Sequence, residues 1–178
     1  STRIKGLSRL TRSYWGMQLA HLGLLVTVLG VAFTSAYSIE KDVRLAPGES
    51  ITVNGYAFRF DGVQDHQGPN YVAQRGTLEV SHDGFVEVLH PEKRIYRVQQ
   101  SPMTEAAITG NTFRDLYVAL GEPLDAGPAG EAWAVRIYYK PFVRWVWLGP
   151  LLMAAGGLLA AADRRYRLRQ SAAAGDLA

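Results

Sequence analysis

The sequence predicts a membrane protein of mixed α and β structure: two transmembrane helices flanking one small β-rich domain, barrel- or sandwich-like. Three observations carry that expectation. Ser13 to Ile39 is an uncharged, largely apolar run, long enough to cross a bilayer. Trp145 to Ala162 is a second uncharged run of 18 residues. Between them, turn signals separate short β-prone stretches at close spacing. The expected organisation is a basic segment at 1–12, a helix at 13–37, the β-rich domain at 38–143, a helix at 144–162 and a basic tail at 163–178.

Charge sets the orientation. Arg3, Lys5, Arg9 and Arg12 precede the first span, and Arg164, Arg165, Arg167 and Arg169 follow the second, so eight of the 19 basic residues sit in two short tails. Short basic flanks stay on the cytoplasmic side, which puts both tails inside and the central domain outside. Anionic membrane lipid is the natural neighbour of those arginines. They require no nucleic acid. The chain has no cysteine, so an exported domain must hold by its core alone and performs no thiol exchange. The first apolar run is too long for a cleaved signal peptide. The start at Ser1 without an initiator Met leads us to expect a segment of a longer protein.

The first helix is bounded by Tyr14 and Trp15 on one side and by Phe33 and Tyr37 on the other, residues suited to membrane interfaces. Along it, Gly16, Ala20, Gly23, Thr27, Gly30 and Thr34 recur at steps of four and three, one continuous stripe of small side chains. Such a stripe predicts a tightly packed neighbour. Gly149, Met153, Gly156 and Ala160 make a shorter stripe on the second helix. The two could meet each other or helices outside this chain. Pro150 is expected in the first turns of the second helix, where a missing N–H costs little.

In the central domain Ile51 to Phe60 contains an Asn54-Gly55 turn or bulge signal. Thr77–Val80 and Phe85–Leu89 flank His82-Asp83-Gly84, a hairpin signature. Arg94–Val98 and Trp133–Tyr139 read as strands, Leu116–Leu120 as strand or helical turn, and Pro123–Gly130 as a polar loop. Gly68-Pro69-Asn70-Tyr71 is a rigid turn ending in an aromatic. Met103 to Ile108 reads as turns and a short helical piece. Exposed segments of this kind are either structural or places where a partner docks.

No phosphate loop, dinucleotide fingerprint, nucleophile elbow or zinc spacing is present. His66, His82 and His90 are scattered and read as solvated loop histidines. Arg144 reads as a snorkelling or stacked arginine, with a carboxylate partner as the alternative. His21 stands apart because it lies inside the first span. An ionisable group there is costly, so it faces a cavity, a partner or a cofactor. Imidazole is a common axial ligand of haem iron. At about 100° per residue His21 lies well round from the small-residue stripe, on the face of Met17, Leu24 and Val28. Two readings stay open: a cofactor ligand, or a histidine hydrogen-bonded to a neighbouring helix near the inner interface.

Eight collinear segments carry a family resemblance: WGMQLAHLG (15–23), YSIEKDVR (37–44), GPNY (68–71), PEKRIY (91–96), MTEAAI (103–108), RDLYVALGE (114–122), WAVRIYYKPFVRWVW (133–147) and DRRYR (163–167). Together they resemble the C-terminal part of the CcmF family, the haem lyase subunit of bacterial cytochrome c maturation, or its paralogue dedicated to nitrite reductase. The resemblance implies a bacterial inner-membrane protein with a periplasmic central domain. It implies covalent attachment of haem to apocytochrome c, with a haem chaperone and further maturation subunits as partners. It also implies a haem b held within the membrane by two histidines, of which His21 would supply one axial ligand to the iron. The family's Trp-rich haem-handling motif, its two external histidines and the other haem b ligand have no counterpart here. The resemblance therefore implies part of a haem lyase, inactive alone and joined to the remainder of that subunit, with the second ligand outside this chain. The alternative is a membrane-anchored structural or partner-docking module without a cofactor of its own.

Overall fold

The structure, a computed structural model, describes residues 11–98, 100–127 and 130–163. The basic segments at 1–10 and 164–178 lie outside the described residues. The chain divides into two compact units, with boundaries at Phe33/Thr34 and Pro141/Phe142.

The first unit is a pair of helices, α1 (Arg12–Tyr37) and α2 (Val143–Ala161). Both are long and apolar enough to cross a membrane. At 1.5 Å per residue, 26 and 19 residues span about 39 and 28 Å, against an apolar bilayer core of about 30 Å. Thr11 starts α1 as an N-cap, its Oγ1 accepting the Tyr14 N–H at 3.2 Å. A second cap comes from far away in sequence. The Ser13 N–H donates to Asp163 Oδ2 at 3.0 Å. A carboxylate at a helix N-terminus satisfies an amide that has no partner within the helix and complements the helix dipole. The sequence reading grouped Asp163 with the basic tail and missed this role.

The helices pack through the two small-residue stripes, which meet each other. A Cβ on Gly16 would lie 2.5 Å from the Gly156 carbonyl oxygen, on Gly23 2.6 Å from that of Gly149, and on Gly30 2.8 Å from the Val146 nitrogen. A Cβ on Gly149 would collide with Thr27 Oγ1. Backbone thus touches backbone along the whole crossing, the contact that small residues make possible in lipid. Pro150 departs from expectation. α2 begins at Val143, so Pro150 is its eighth residue, past the first turns. There it removes a bond to the carbonyl four residues back.

The second unit is a two-sheet β-sandwich. Its strands are β1 (Ile39–Leu45), β2 (Ser50–Val53), β3 (Tyr56–Gln67), β4 (Tyr71–His82), β5 (Phe85–Leu89), β6 (Glu92–Tyr96), β7 (Pro102–Glu105), β8 (Ala107–Gly110), β9 (Arg114–Gly127) and β10 (Gly130–Pro141). One sheet runs β1-β10-β9-β8; the other runs β2-β3-β4-β6-β7, with β5 also on β4. All pairings are antiparallel. The interior is built from Phe58, Phe60, Leu78, Val80, Leu116, Val118, Leu120, Trp133, Val135 and Ile137.

The turn signals hold: Asn54 and Gly55 have φ of 49° and 83°, Asp83 and Gly84 46° and 80°, the left-handed pair that a two-residue hairpin needs. Leu116–Leu120 is strand. Three segments differ from their reading. Pro123–Gly130 is no long loop, because β9 continues to Gly127 and β10 starts at Gly130. The Gly and Pro there accommodate register shifts around Trp133 instead of ending the strands. Met103–Ile108 is neither turn nor helix. It is β7 and β8, which leave one sheet and join the other with only Ala106 between. The turn at Gly68–Tyr71 closes β3 onto β4, the Gly68 N–H donating to Tyr71 O at 2.9 Å. The Tyr71 ring covers Gly68 so closely that no Cβ fits there.

Candidate functional site

His21 projects from α1 on a face that α2 leaves open. Gly16, Gly23 and Gly30 are the buried residues of α1, whereas His21 and its face-mates Met17, Leu24 and Val28 are exposed. The rotation that buries the glycine stripe against α2 carries His21 about 140–180° away from its three glycines, at 100° per residue. Its Nδ1 lies 2.8 Å from the Met17 carbonyl oxygen, one turn back on the same helix. A carbonyl only accepts, so Nδ1 carries the proton. In the neutral ring Nε2 is then the nitrogen left with a lone pair. A ring nitrogen tied to a backbone carbonyl, with the other free, is the arrangement of a metal-ligating histidine. The donor set therefore fits one axial position of a haem iron. The other histidines of the chain, His66, His82 and His90, all lie between residues 34 and 141, in the sandwich.

Those three do not form a site. His66 is within β3, and its ring is 6.4 Å from that of Tyr71. His82 ends β4 instead of occupying the turn. It stacks on Tyr56 at 4.1 Å, its Nδ1 2.9 Å from Gly55 O and its Nε2 3.3 Å from Asp83. His90 alone is an exposed loop residue. Among the described residues no cluster of His, Cys, Asp and Glu is placed to hold a metal ion. Arg144 is exposed on the first turn of α2.

An open cleft of about 620 Å³ lies in the sandwich. The pairings Asp65↔Gln74, Gln67↔Val72, Val72↔Ile95 and Lys93↔Gln74 place these side chains on the interior face of their sheet, beyond the reach of the large core residues. Val72, Ile95, Pro102 and Pro123 give it an apolar floor, and a Lys93–Glu122 ion pair spans its wall. On the opposite face of the same strands Glu92 is buried and accepts from Arg75 Nε and from Arg94 Nε at 2.7 Å. Burial opposes its ionisation, yet the hydrogen bonds and charges of the two arginines outweigh that, holding the carboxyl below its usual range. The Arg94 guanidinium, its pKa raised by the Glu92 bond, lies 4.5 Å over the Tyr71 ring. PEKRIY and GPNY thus meet in one structural cluster.

Comparison with known proteins fits this architecture. Residues 36–141 match a sequence family described as the CcmF C-terminal beta-sandwich. The chain is 56% identical over 167 residues to the cytochrome c-type biogenesis protein CcmF of Pseudomonas aeruginosa, covering 93% of this chain and 25% of that protein. It is 58% identical over 167 residues to the CcmF of Pseudomonas fluorescens, with the same coverage. A solved structure named cytochrome c heme lyase CcmF shares the fold at a TM-score of 0.66 and 24% identity, over 85% of this chain and 25% of that one. The chain therefore spans about a quarter of the length of the relatives it matches. Its sandwich lies within the family match and its similarity to the relatives runs on into the flanking helices, so the chain belongs to the CcmF family of cytochrome c-type biogenesis proteins.

Proposed function

We propose that this chain is the C-terminal module of a cytochrome c maturation haem lyase, and that His21 supplies one axial ligand to a haem b held in the membrane. The observation that carries the reading is the Nδ1–H bond from His21 to the Met17 carbonyl. In the neutral ring it leaves Nε2 as the ligating nitrogen, on a face of α1 turned away from α2. Because the α1–α2 interface is filled by touching backbones, the ligand pocket lies on the other side of α1, against helices from outside this chain. The second axial ligand comes from there. When bound, the haem supplies one-electron exchange at its iron; His21 holds that iron and sets its position along α1.

In this reading α1 and α2 cross the bacterial inner membrane, the segments at 1–12 and 163–178 are cytoplasmic, and the domain at 38–143 is periplasmic. The remainder of the lyase, other maturation subunits, the haem chaperone and apocytochrome c are the partners. The test is His21→Ala in the full-length protein. The expected result is loss of the bis-histidine haem b absorption spectrum with the protein still inserted in the membrane. A normal spectrum would remove the ligand assignment and leave a structural or partner-docking module.

A further inference from the structure

His21 is not the only polar side chain on its face of α1. Setting Tyr14 at 0°, helical geometry puts His21 at about −20°, Gln18 at about 40° and Leu25 at about 20°, with Val28 and Ala32 within about 40°. All of these residues are exposed. The face is therefore polar toward the N-terminal end of α1, through Tyr14, Gln18 and His21, and apolar from Leu25 through Val28 to Ala32. Among the described residues the Gln18 carboxamide has no hydrogen-bond partner. A carboxamide in hydrocarbon without one is costly, so an uncommitted glutamine three residues from His21 demands a polar occupant.

Side chains on a helix lean toward its N-terminus, and the bond to Met17 O draws the His21 ring over the turn that carries Gln18. Residues three apart have Cβ atoms about 5–6 Å apart. A tetrapyrrole held through Nε2 would therefore have Gln18 within reach of its periphery. Its periphery is asymmetric: two propionate carboxylates on one edge, methyl and vinyl groups elsewhere. That asymmetry matches the face. We propose that Gln18 is a binding residue for the tetrapyrrole, its carboxamide N–H donating to a propionate carboxylate and turning the charged edge toward the N-terminal end of α1. Leu25 and Val28 then meet the apolar edge. This rests on the reading of His21 as an axial ligand.

The experiment uses the full-length, haem-loaded lyase and follows haem loss to excess apomyoglobin. A hydrogen bond to a charged group implies that Gln18→Leu loses haem about tenfold faster with its bis-histidine spectrum intact. Gln18→Lys, which can still donate to a carboxylate, stays near the unmodified protein. Gln18→Glu, which cannot, loses haem at least as fast as the leucine variant. A Gln18→Leu loss rate equal to the unmodified protein's overturns the proposal, and is the result expected of a carboxamide that reaches only lipid headgroups. Equal rates for the Lys and Glu variants overturn it as well, and that pair decides the matter even if the leucine variant does not accumulate. His21→Ala, run alongside, separates the two readings. A retained bis-histidine spectrum there removes the ligand itself, whereas its loss together with an unaffected Gln18→Leu removes Gln18 alone.

Discussion

The helix pair and the sandwich reach tight packing by opposite means. In the sandwich, large side chains such as Trp133, Phe58 and Phe60 fill the space between two sheets and are 0–2% exposed. Water drives that burial. In the helix pair the buried residues are glycines, and the contact is backbone on backbone. Lipid gives no hydrophobic drive for helix association, so close approach must supply the attraction. One region is held by what its side chains add, the other by what they omit. Removing volume should harm the first, and adding volume should harm the second.

Substitutions break that symmetry in a graded way. The largest effect is expected from Trp133→Ala, which should destabilise the sandwich by about 3–5 kcal/mol. Thermal melting of the chain in detergent, followed at the β band of the circular dichroism spectrum, checks it. Next comes Gly23→Ala, a single methyl aimed at the Gly149 carbonyl. Overpacking of this kind costs about 1–3 kcal/mol and should appear in the helical band while the β band is unmoved. Gly157→Ala is its control. Nothing lies within 4 Å of that position, so its melting should be unchanged or higher. If both glycines respond alike, helix propensity and not the crossing explains the effect.

The smallest effect sharpens the polar side of the sandwich. The folded Glu92 carboxyl is held below its ordinary range, so its contribution is complete above the unfolded value and fades as pH falls through the folded one. Glu92→Gln should therefore cost about 1–2 kcal/mol near neutral pH, since the two arginines stay partly solvated. The gap between variant and parent should close below about pH 4. Chemical unfolding at several pH values measures it; a gap that widens in acid would reverse the assignment.

Local signals in the sequence were read well where the structure they specify is local. Asn54-Gly55 and Asp83-Gly84 demand left-handed turns within two residues, and the apolar runs at 13–39 and 145–162 become helices of about that extent. The stripes were legible as surfaces, but their partner was not, because spacing does not say which of two stripes meets which. Met103–Ile108 was misread for a related reason. A strand that changes sheets at Ala106 has no uniform alternation to display. Pro123 and Gly127 looked like punctuation because a strand tolerates such residues only where its register slips, which the partner strand decides. At His21 the sequence supplied the imidazole and its face; the proton's position followed only from the backbone oxygen beneath it.

Asp163 also bears on the order of assembly. It completes the N-terminal turn of α1 from 150 residues downstream. β1 likewise waits for β10, with Ile39 opposite Tyr139. At translation speeds of about 5–20 residues per second, α1 spends about 8–30 s without its distant cap. During that interval its glycine stripe has no α2 to meet, while the His21 face is already formed. An incoming helix therefore finds the His21 face of α1 before the residues that close the opposite one have been synthesised.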